Sequence, residues 1–141
     1  MFSGEFNHTI DEKGRIIIPN KFRTLLGDSF TVSKSLDGCL SIYDKDEWDV
    51  LTKKLSTLPL TDERARFLKR FLLGGSIEVT PDKTGRVLLQ KNLIESAKLT
   101  KDVVFVGVGT YIELWDLDEY RKQNDFEDFE KISSSMEGLG I

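Results

Sequence analysis

The string Asp11-Glu12-Lys13-Gly14-Arg15, followed by Ile16-Ile17-Ile18-Pro19, recurs 71 residues later as Asp82-Lys83-Thr84-Gly85-Arg86, followed by Val87-Leu88-Leu89-Gln90. A single Asp-x-x-Gly-Arg string constrains little. Two copies at corresponding places make an internal repeat, and a repeat limits the fold to one supersecondary unit used twice. The correspondence runs past the motif. Gly4, Phe6 and Thr9 match Gly75, Ile77 and Thr80 at the same offset of 71. Further on, at an offset of 72, Leu40-Ser41-Ile42-Tyr43-Asp44 matches Ile112-Glu113-Leu114-Trp115-Asp116. Asp46-Glu47-Trp48 then matches Asp118-Glu119-Tyr120.

Each unit is expected to run strand, turn, strand, short helix, hairpin, helix. Residues 1–10 form a first strand, and Asp11 to Gly14 a turn of type I, with Asp at its first position and Gly at its fourth. Arg15 opens the return strand. Ile16-Ile17-Ile18 is an unbroken β-branched run, which predicts a strand buried on both faces, as does Val87-Leu88-Leu89. Pro19 and Gly27 bracket a short helix with Phe22, Leu25 and Leu26 on one face. Phe30 to Val32 and Cys39 to Tyr43 form a hairpin around Leu36-Asp37-Gly38.

Asp44 caps the next helix, with Glu47 three residues on, and Asp116 with Glu119 repeats that box. A linker helix from Thr61 as N-cap to Leu73 is expected to pack Phe67 and Phe71 between the halves. Its Arg64 and Arg66 are read first as solvated charges. In the second half, Leu93, Ile94 and Ala97 line the short helix. A last helix from Leu117 is expected to carry Tyr120, Phe126, Phe129 and Ile132.

A chain of 141 residues can bury a core without a disulfide or metal staple. The lone Cys39 lies on an apolar run and reads as a small buried hydrophobe. No basic-then-apolar leader and no membrane-length apolar run occur, so a soluble cytoplasmic chain is expected. Net charge is −4, which argues against a nucleic-acid partner until its distribution is seen. Residues 116–141 hold eight acids against three bases, net −5, so residues 1–115 carry +1. The acidity belongs to the tail.

The chemistry-bearing residues are those of the two turns. Asp11, Gly14, Asp82 and Gly85 are assigned a structural turn role: the carboxylate closes the turn and Gly supplies a positive φ. For Arg15 and Arg86 a surface ion pair competes with a binding role. A planar guanidinium can bond two acceptors at once, on guanine or on a phosphate. Lys13 and Lys83 flank them and would contact backbone phosphate if the arginines bind a nucleic acid, although the slot of Lys83 holds Glu12 in the first copy. An enzyme would have to use Asp11 and Asp82 with His8. The second half has Val79 at the His8 position, and no metal-ligand cluster or nucleophile–base spacing occurs. No catalytic residue, metal site, cofactor or small-molecule substrate is assigned.

The two Asp-x-x-Gly-Arg motifs, the opening Met1-Phe2-x-Gly4, the Arg-rich linker helix and the Glu113-Leu114-Trp115 strand resemble the MraZ family over about residues 1–120. The resemblance implies a mixed α/β, mainly β fold: tandem SpoVT-AbrB-like repeats forming a swapped-hairpin β-barrel of two interlocking half-barrels, with flanking helices. Repeat one spans 5–47, a helical linker 48–75, repeat two 76–119, and an acidic helix with a mobile tail 120–141. It further implies a DNA-binding transcriptional regulator, nucleoid-associated, acting on the promoter of the bacterial division and cell-wall gene cluster. Double-stranded DNA with tandem promoter repeats and a closed homo-oligomeric ring are the implied partners. The resemblance tips Arg15 and Arg86 to DNA contact. The competing expectation is a ring-forming interaction scaffold that touches its partners through the acidic tail.

Overall fold

Both halves of the chain build the same four strands. In the computed structural model, which describes residues 1–141, the first half holds β1 (Phe2–Thr9), β2 (Arg15–Ile17), β3 (Phe30–Lys34) and β4 (Leu40–Tyr43). The second holds β5 (Ile77–Val79), β6 (Arg86–Leu88), β7 (Asp102–Gly109) and β8 (Ile112–Asp116). A short helix follows the second strand of each half, α1 (Asn20–Leu26) and α4 (Lys91–Ser96). Another follows the fourth, α2 (Lys45–Ser56) and α5 (Leu117–Gln123). Helix α3 (Glu63–Gly74) joins the halves, and α6 (Phe129–Ser135) comes near the end of the chain. No helix is long and apolar enough to cross a membrane.

The halves exchange strands. Six strands form one sheet in the order β1-β7-β8-β4-β3-β5, and β2 pairs with β6 in a separate ribbon. The six-strand order is unchanged when the halves are swapped and the list reversed. The first strand of each half lies antiparallel to the third strand of the other: Phe6 faces Phe105, and Val79 faces Phe30. At the centre β4 meets β8, with Leu40 opposite Leu114. Each half therefore supplies the ladder that satisfies the other's strand edges.

A swapped-hairpin β-barrel was expected; the strands are exchanged between the halves, but no closed barrel is seen. The strands β1 and β5 end the sheet as open edges. The turn at Asp11 redirects the chain, and the three-residue β2 touches the end of the first strand region through one bridge, Ile10 to Ile16. On its other side β2 pairs with β6, so ribbon and sheet meet at that bridge and no continuous ladder runs from one to the other.

One core of 20 buried residues ties ribbon, short helices and sheet together. Ile16, Ile18, Val87 and Leu89 come from the ribbon segments, Phe22 and Leu26 from α1, Leu93 from α4, and Phe105, Leu114, Leu40 and Ile42 from the sheet. Phe22 is fully buried, with the rings of Phe2 and Phe6 edge-on to it at 5.8 and 5.0 Å. Truncating such a ring to Ala costs about 3–5 kcal/mol, so α1 is firmly seated. Cys39, Val104, Trp115 and Tyr120 form a small second cluster. Val104 and Trp115 alternate with the core residues Phe105 and Leu114, so this cluster lies on the opposite face of the sheet.

The two expected caps are present: Asp44 accepts from the Glu47 N–H at 2.8 Å, and Asp116 from the Glu119 N–H at 3.2 Å. The linker helix starts one residue later than expected. Asp62, rather than Thr61, caps it and accepts from the Arg64 N–H at 2.9 Å. A carboxylate also complements the positive end of the helix, which a hydroxyl does not.

Phe67 does not pack between the halves; it is 66% exposed. Helix α3 seats on β3 through Leu72, whose carbonyl accepts from the buried Ser33 hydroxyl at 3.1 Å. The buried stripe is therefore Ala65 and Leu72, seven residues apart, and Phe67 points away from it. Phe71 is half-buried beneath Lys34, whose Nζ lies 5.8 Å from the ring centroid.

The last helix is also broken where a continuous one was expected. Asn124 donates to the Tyr120 carbonyl at 2.9 Å and Asp125 accepts from the Glu127 N–H at 3.0 Å. These local side-chain bonds end α5 before α6 begins.

Candidate functional site

The two turns are built alike. In the first, the Gly14 N–H donates to the Asp11 carbonyl and the Asp11 N–H to the Arg15 carbonyl, each at 3.0 Å. Asp11 Oδ1 accepts from the N–H groups of Lys13 and Arg15 at 2.9 and 2.8 Å. In the second, Asp82 Oδ1 accepts from the N–H groups of Thr84 and Arg86 at 2.9 and 3.0 Å. It also takes the Thr84 hydroxyl at 2.7 Å, which the first turn lacks because Lys13 stands there. Gly14 and Gly85 both have φ of +83°, a backbone region that L side chains rarely enter.

These bonds set the charge states. Asp11 is held below the ordinary carboxylate range, chiefly by the Arg15 N–H. Asp82 is also held below it, first by the Thr84 hydroxyl and then by the Arg86 N–H. Both carboxylates are ionised at neutral pH and fully engaged.

Each carboxylate then orients its own arginine. Arg15 Nε donates to Asp11 Oδ2 at 2.7 Å, and Arg86 Nε to Asp82 Oδ2 at 3.0 Å. The η-nitrogens of Arg15 and Arg86 make no hydrogen bond within the chain. A guanidinium fixed through Nε with its two η-nitrogens unengaged is a forked donor waiting for a pair of acceptors.

The turns are locked to each other across the halves. The Ile18 N–H donates to the Gly85 carbonyl at 3.0 Å, and the Leu89 N–H to the Gly14 carbonyl at 2.9 Å. Between them, β2 and β6 pair with Arg15 opposite Leu88 and Ile17 opposite Arg86. Alternation then sends Ile16 and Val87 into the core and these four residues outward. The outer face of the ribbon is a checkerboard of two arginines and two apolar side chains. The arginines sit on a diagonal, roughly 7–8 Å apart at the backbone. Lys13 and Lys83 stand exposed at the turn tips without ion pairs.

Ile17 and Leu88 correct the expectation of strands buried on both faces: they are 47% and 61% exposed. An unbroken apolar run signals two covered faces when layers lie on both sides. This ribbon has the core on one side and solvent on the other. Sequence reasoning therefore missed both as members of the outer face. The pairing of β2 with β6 would have found them, but it joins residues about 70 apart.

Arg23 was missed as well. It packs beneath the second turn, where a Cβ on Gly85 would stand 2.6 Å from Arg23 Cζ. The related support under Gly14 is Ile94. Positions 23 and 94 are 71 apart, so the repeat offset marked this exchange of a cation for an aliphatic group.

The carboxylate–histidine arrangement that an enzyme would need is not assembled. Asp11 and Asp82 each hold an arginine, and His8 packs edge-on to Phe105 at 5.5 Å. Burial lowers the His8 pKa. No group of three or more His, Cys, Asp or Glu side chains is placed to hold a metal ion.

The family model for MraZ protein matches twice, over residues 1–71 and 72–137. Curated relatives align with it over the full length of both chains. The transcriptional regulator MraZ of Clostridium tetani is 48% identical and that of Clostridium acetobutylicum 49%. The transcriptional regulator MraZ of Thermoanaerobacter pseudethanolicus is 47% identical.

Proposed function

This chain belongs to the MraZ family, and from that premise we propose that it is a transcriptional regulator that reads double-stranded DNA with the outer face of the β2–β6 ribbon. One observation carries the reading: Arg15 and Arg86 share one rigid face, each anchored through Nε with its η-nitrogens unengaged. A two-stranded ribbon fits the major groove, where arginine bonds guanine O6 and N7 together. Ile17 and Leu88 lie between the arginines as apolar contacts for thymine methyl groups. Lys13 and Lys83, at the turn tips, take backbone phosphates. Asp11, Gly14, Asp82 and Gly85 hold the turns rather than touch DNA.

Residues 5–47 and 76–119 are taken as the two repeats, with 48–75 as the linker and 120–141 as an acidic C-terminal segment. Two arginines and two lysines per chain give weak binding. Several copies in a closed ring, matched to tandem repeats in a promoter, raise the avidity by orders of magnitude. On this reading the promoter is the one before the division and cell-wall cluster, as the family resemblance implies, and the protein is nucleoid-associated.

The test is binding to a duplex from upstream of the chain's own gene, against a scrambled duplex, at two salt concentrations. The reading expects preferential, salt-sensitive binding that Arg15→Ala with Arg86→Ala loses. A double variant that binds like the wild type would sink it.

A second reading has an observation of its own. Helix α6 buries none of its residues, and Phe129, Ile132 and Met136 form an exposed apolar face beside Glu130 and Glu137. On this reading the assembly is a scaffold that holds partners through residues 121–141. A pull-down that survives the double arginine variant and fails without that segment favours it.

A further inference from the structure

An open cleft of about 460 Å3 lies beside the second turn. It begins at Ile17 on the ribbon face and is lined by His8, Asn20, Lys21, Arg23 and Thr84. Lys21 lies over the Phe6 ring, its Nζ 5.7 Å from the centroid, and forms no ion pair. Arg23 donates through Nη2 to Asn20 Oδ1, while its Nη1 is buried beneath the turn without a partner. An arginine can only donate, so the Asn20 atom facing it is the oxygen. The Asn20 amide N–H2 group is then left unengaged.

The other half of the molecule has no such seat. At the repeat offset, Lys21 becomes Asn92 and Arg23 becomes Ile94. Asn20 becomes Lys91, which is bridged to Glu95 at 3.9 Å. Burial keeps His8 neutral at pH 7, so Lys21 and Arg23 are the charges of the cleft. Cations without carboxylates, continuous with a face that carries two oriented arginines, suit a backbone phosphate.

We propose that this cleft seats one phosphate of the bound duplex, taken by the Lys21 ammonium and the Asn20 amide, with Arg23 as the positioning residue that fixes Asn20. The proposal rests on the ribbon as the DNA-reading face and extends that face on one side. The two ends of the ribbon are then unequal, and the protein sets its own direction along the duplex.

The experiment uses the full chain with the upstream and scrambled duplexes, read by fluorescence anisotropy across a salt series. Lys21→Ala is expected to weaken binding to both duplexes by the same factor. The slope of log affinity against log salt falls by about 0.9 per engaged copy. Asn20→Asp keeps the acceptor for Arg23 and turns that contact into an ion pair, so the fold is retained. It sets a negative charge where the phosphate binds and weakens both duplexes about fivefold, the factor for two like charges about 4 Å apart in water. Lys91→Ala, at the related position, changes neither affinity nor slope.

Arg23→Ile is expected to weaken binding to both duplexes and Arg23→Lys to recover it, with the slope unchanged because the amide that Arg23 positions is neutral. A change confined to Tm would remove Arg23 from the seat. Wild-type affinity and slope in both Lys21→Ala and Asn20→Asp overturn the proposal, and do so even where the Arg15→Ala, Arg86→Ala chain loses binding. If that arginine variant also binds like the wild type, the ribbon itself is the error.

Discussion

Replacing Gly85 by Ala probes the seating of the second turn on Arg23, and Gly38 provides its control. Both glycines have positive φ, +83° and +84°. A Cβ at Gly38 meets nothing within 4 Å, whereas at Gly85 it would collide with the Arg23 guanidinium. The backbone strain of Ala in the left-handed region is about 1–2 kcal/mol, offset in part by about 0.4–1 kcal/mol of lost freedom in the unfolded chain. Gly38→Ala should therefore cost about 1 kcal/mol.

Gly85→Ala carries the same strain and also expels Arg23 from beneath the turn, breaking its bond to Asn20. The guanidinium is the flexible end of its side chain and the bond is exposed, so this adds only about 0.5–1 kcal/mol. At about 3 °C per kcal/mol for a chain of roughly this size, Tm should fall about 3 °C in Gly38→Ala and about 5–6 °C in Gly85→Ala. Thermal melts followed by circular dichroism at pH 7 read both. Equal drops in the two variants would refute the contact between the second turn and Arg23.

Three further outcomes are expected. The folded-state pKa values of Asp11 and Asp82 are depressed, so their contribution to stability is complete above the unfolded value near 3.9 and is lost as pH falls below it; a Tm-against-pH series should show that loss, and Asp82→Ala should flatten it. Ile17→Thr with Leu88→Thr should leave stability within about 0.5 kcal/mol, as for other exposed positions, yet reduce the preference for the upstream duplex in a binding titration. Burial pushes the Cys39 thiol up to about 12, so it should resist a thiol reagent at pH 8 in the native protein and react on unfolding in urea; rapid native labelling would contradict its burial.

The turns were legible in the sequence because their chemistry is local. An Asp at the first position, a Gly at the fourth and an Arg at the fifth specify a bond set spanning five residues, and that set recurs in both copies. The caps at Asp44 and Asp116 were legible for the same reason. What escaped depends on partners far along the chain. Ile17 and Leu88 looked buried because a β-branched run says nothing of whether a second layer exists. Phe67 looked interior because i, i+4 aromatics usually mark a packing face, but Ser33 and Leu72 decide how α3 rotates. Arg23 carries no local signal, because the second turn that lies over it is more than fifty residues on. The barrel expectation came from family resemblance; in the structure β2 meets the first strand region through one bridge and gives its other edge to β6.

The central claim is that two arginine forks read bases from one ribbon face. The most direct test is the ratio of affinities for the upstream and scrambled duplexes in a chain carrying Arg15→Lys and Arg86→Lys. Lysine keeps the positive charge but cannot bond two acceptors on one guanine in a fixed plane. The account predicts that binding to the scrambled duplex is retained while the ratio falls by at least tenfold, since each bidentate pair is worth about 1–3 kcal/mol of discrimination. A lysine chain that keeps the wild-type ratio would contradict it and place base reading elsewhere on the molecule.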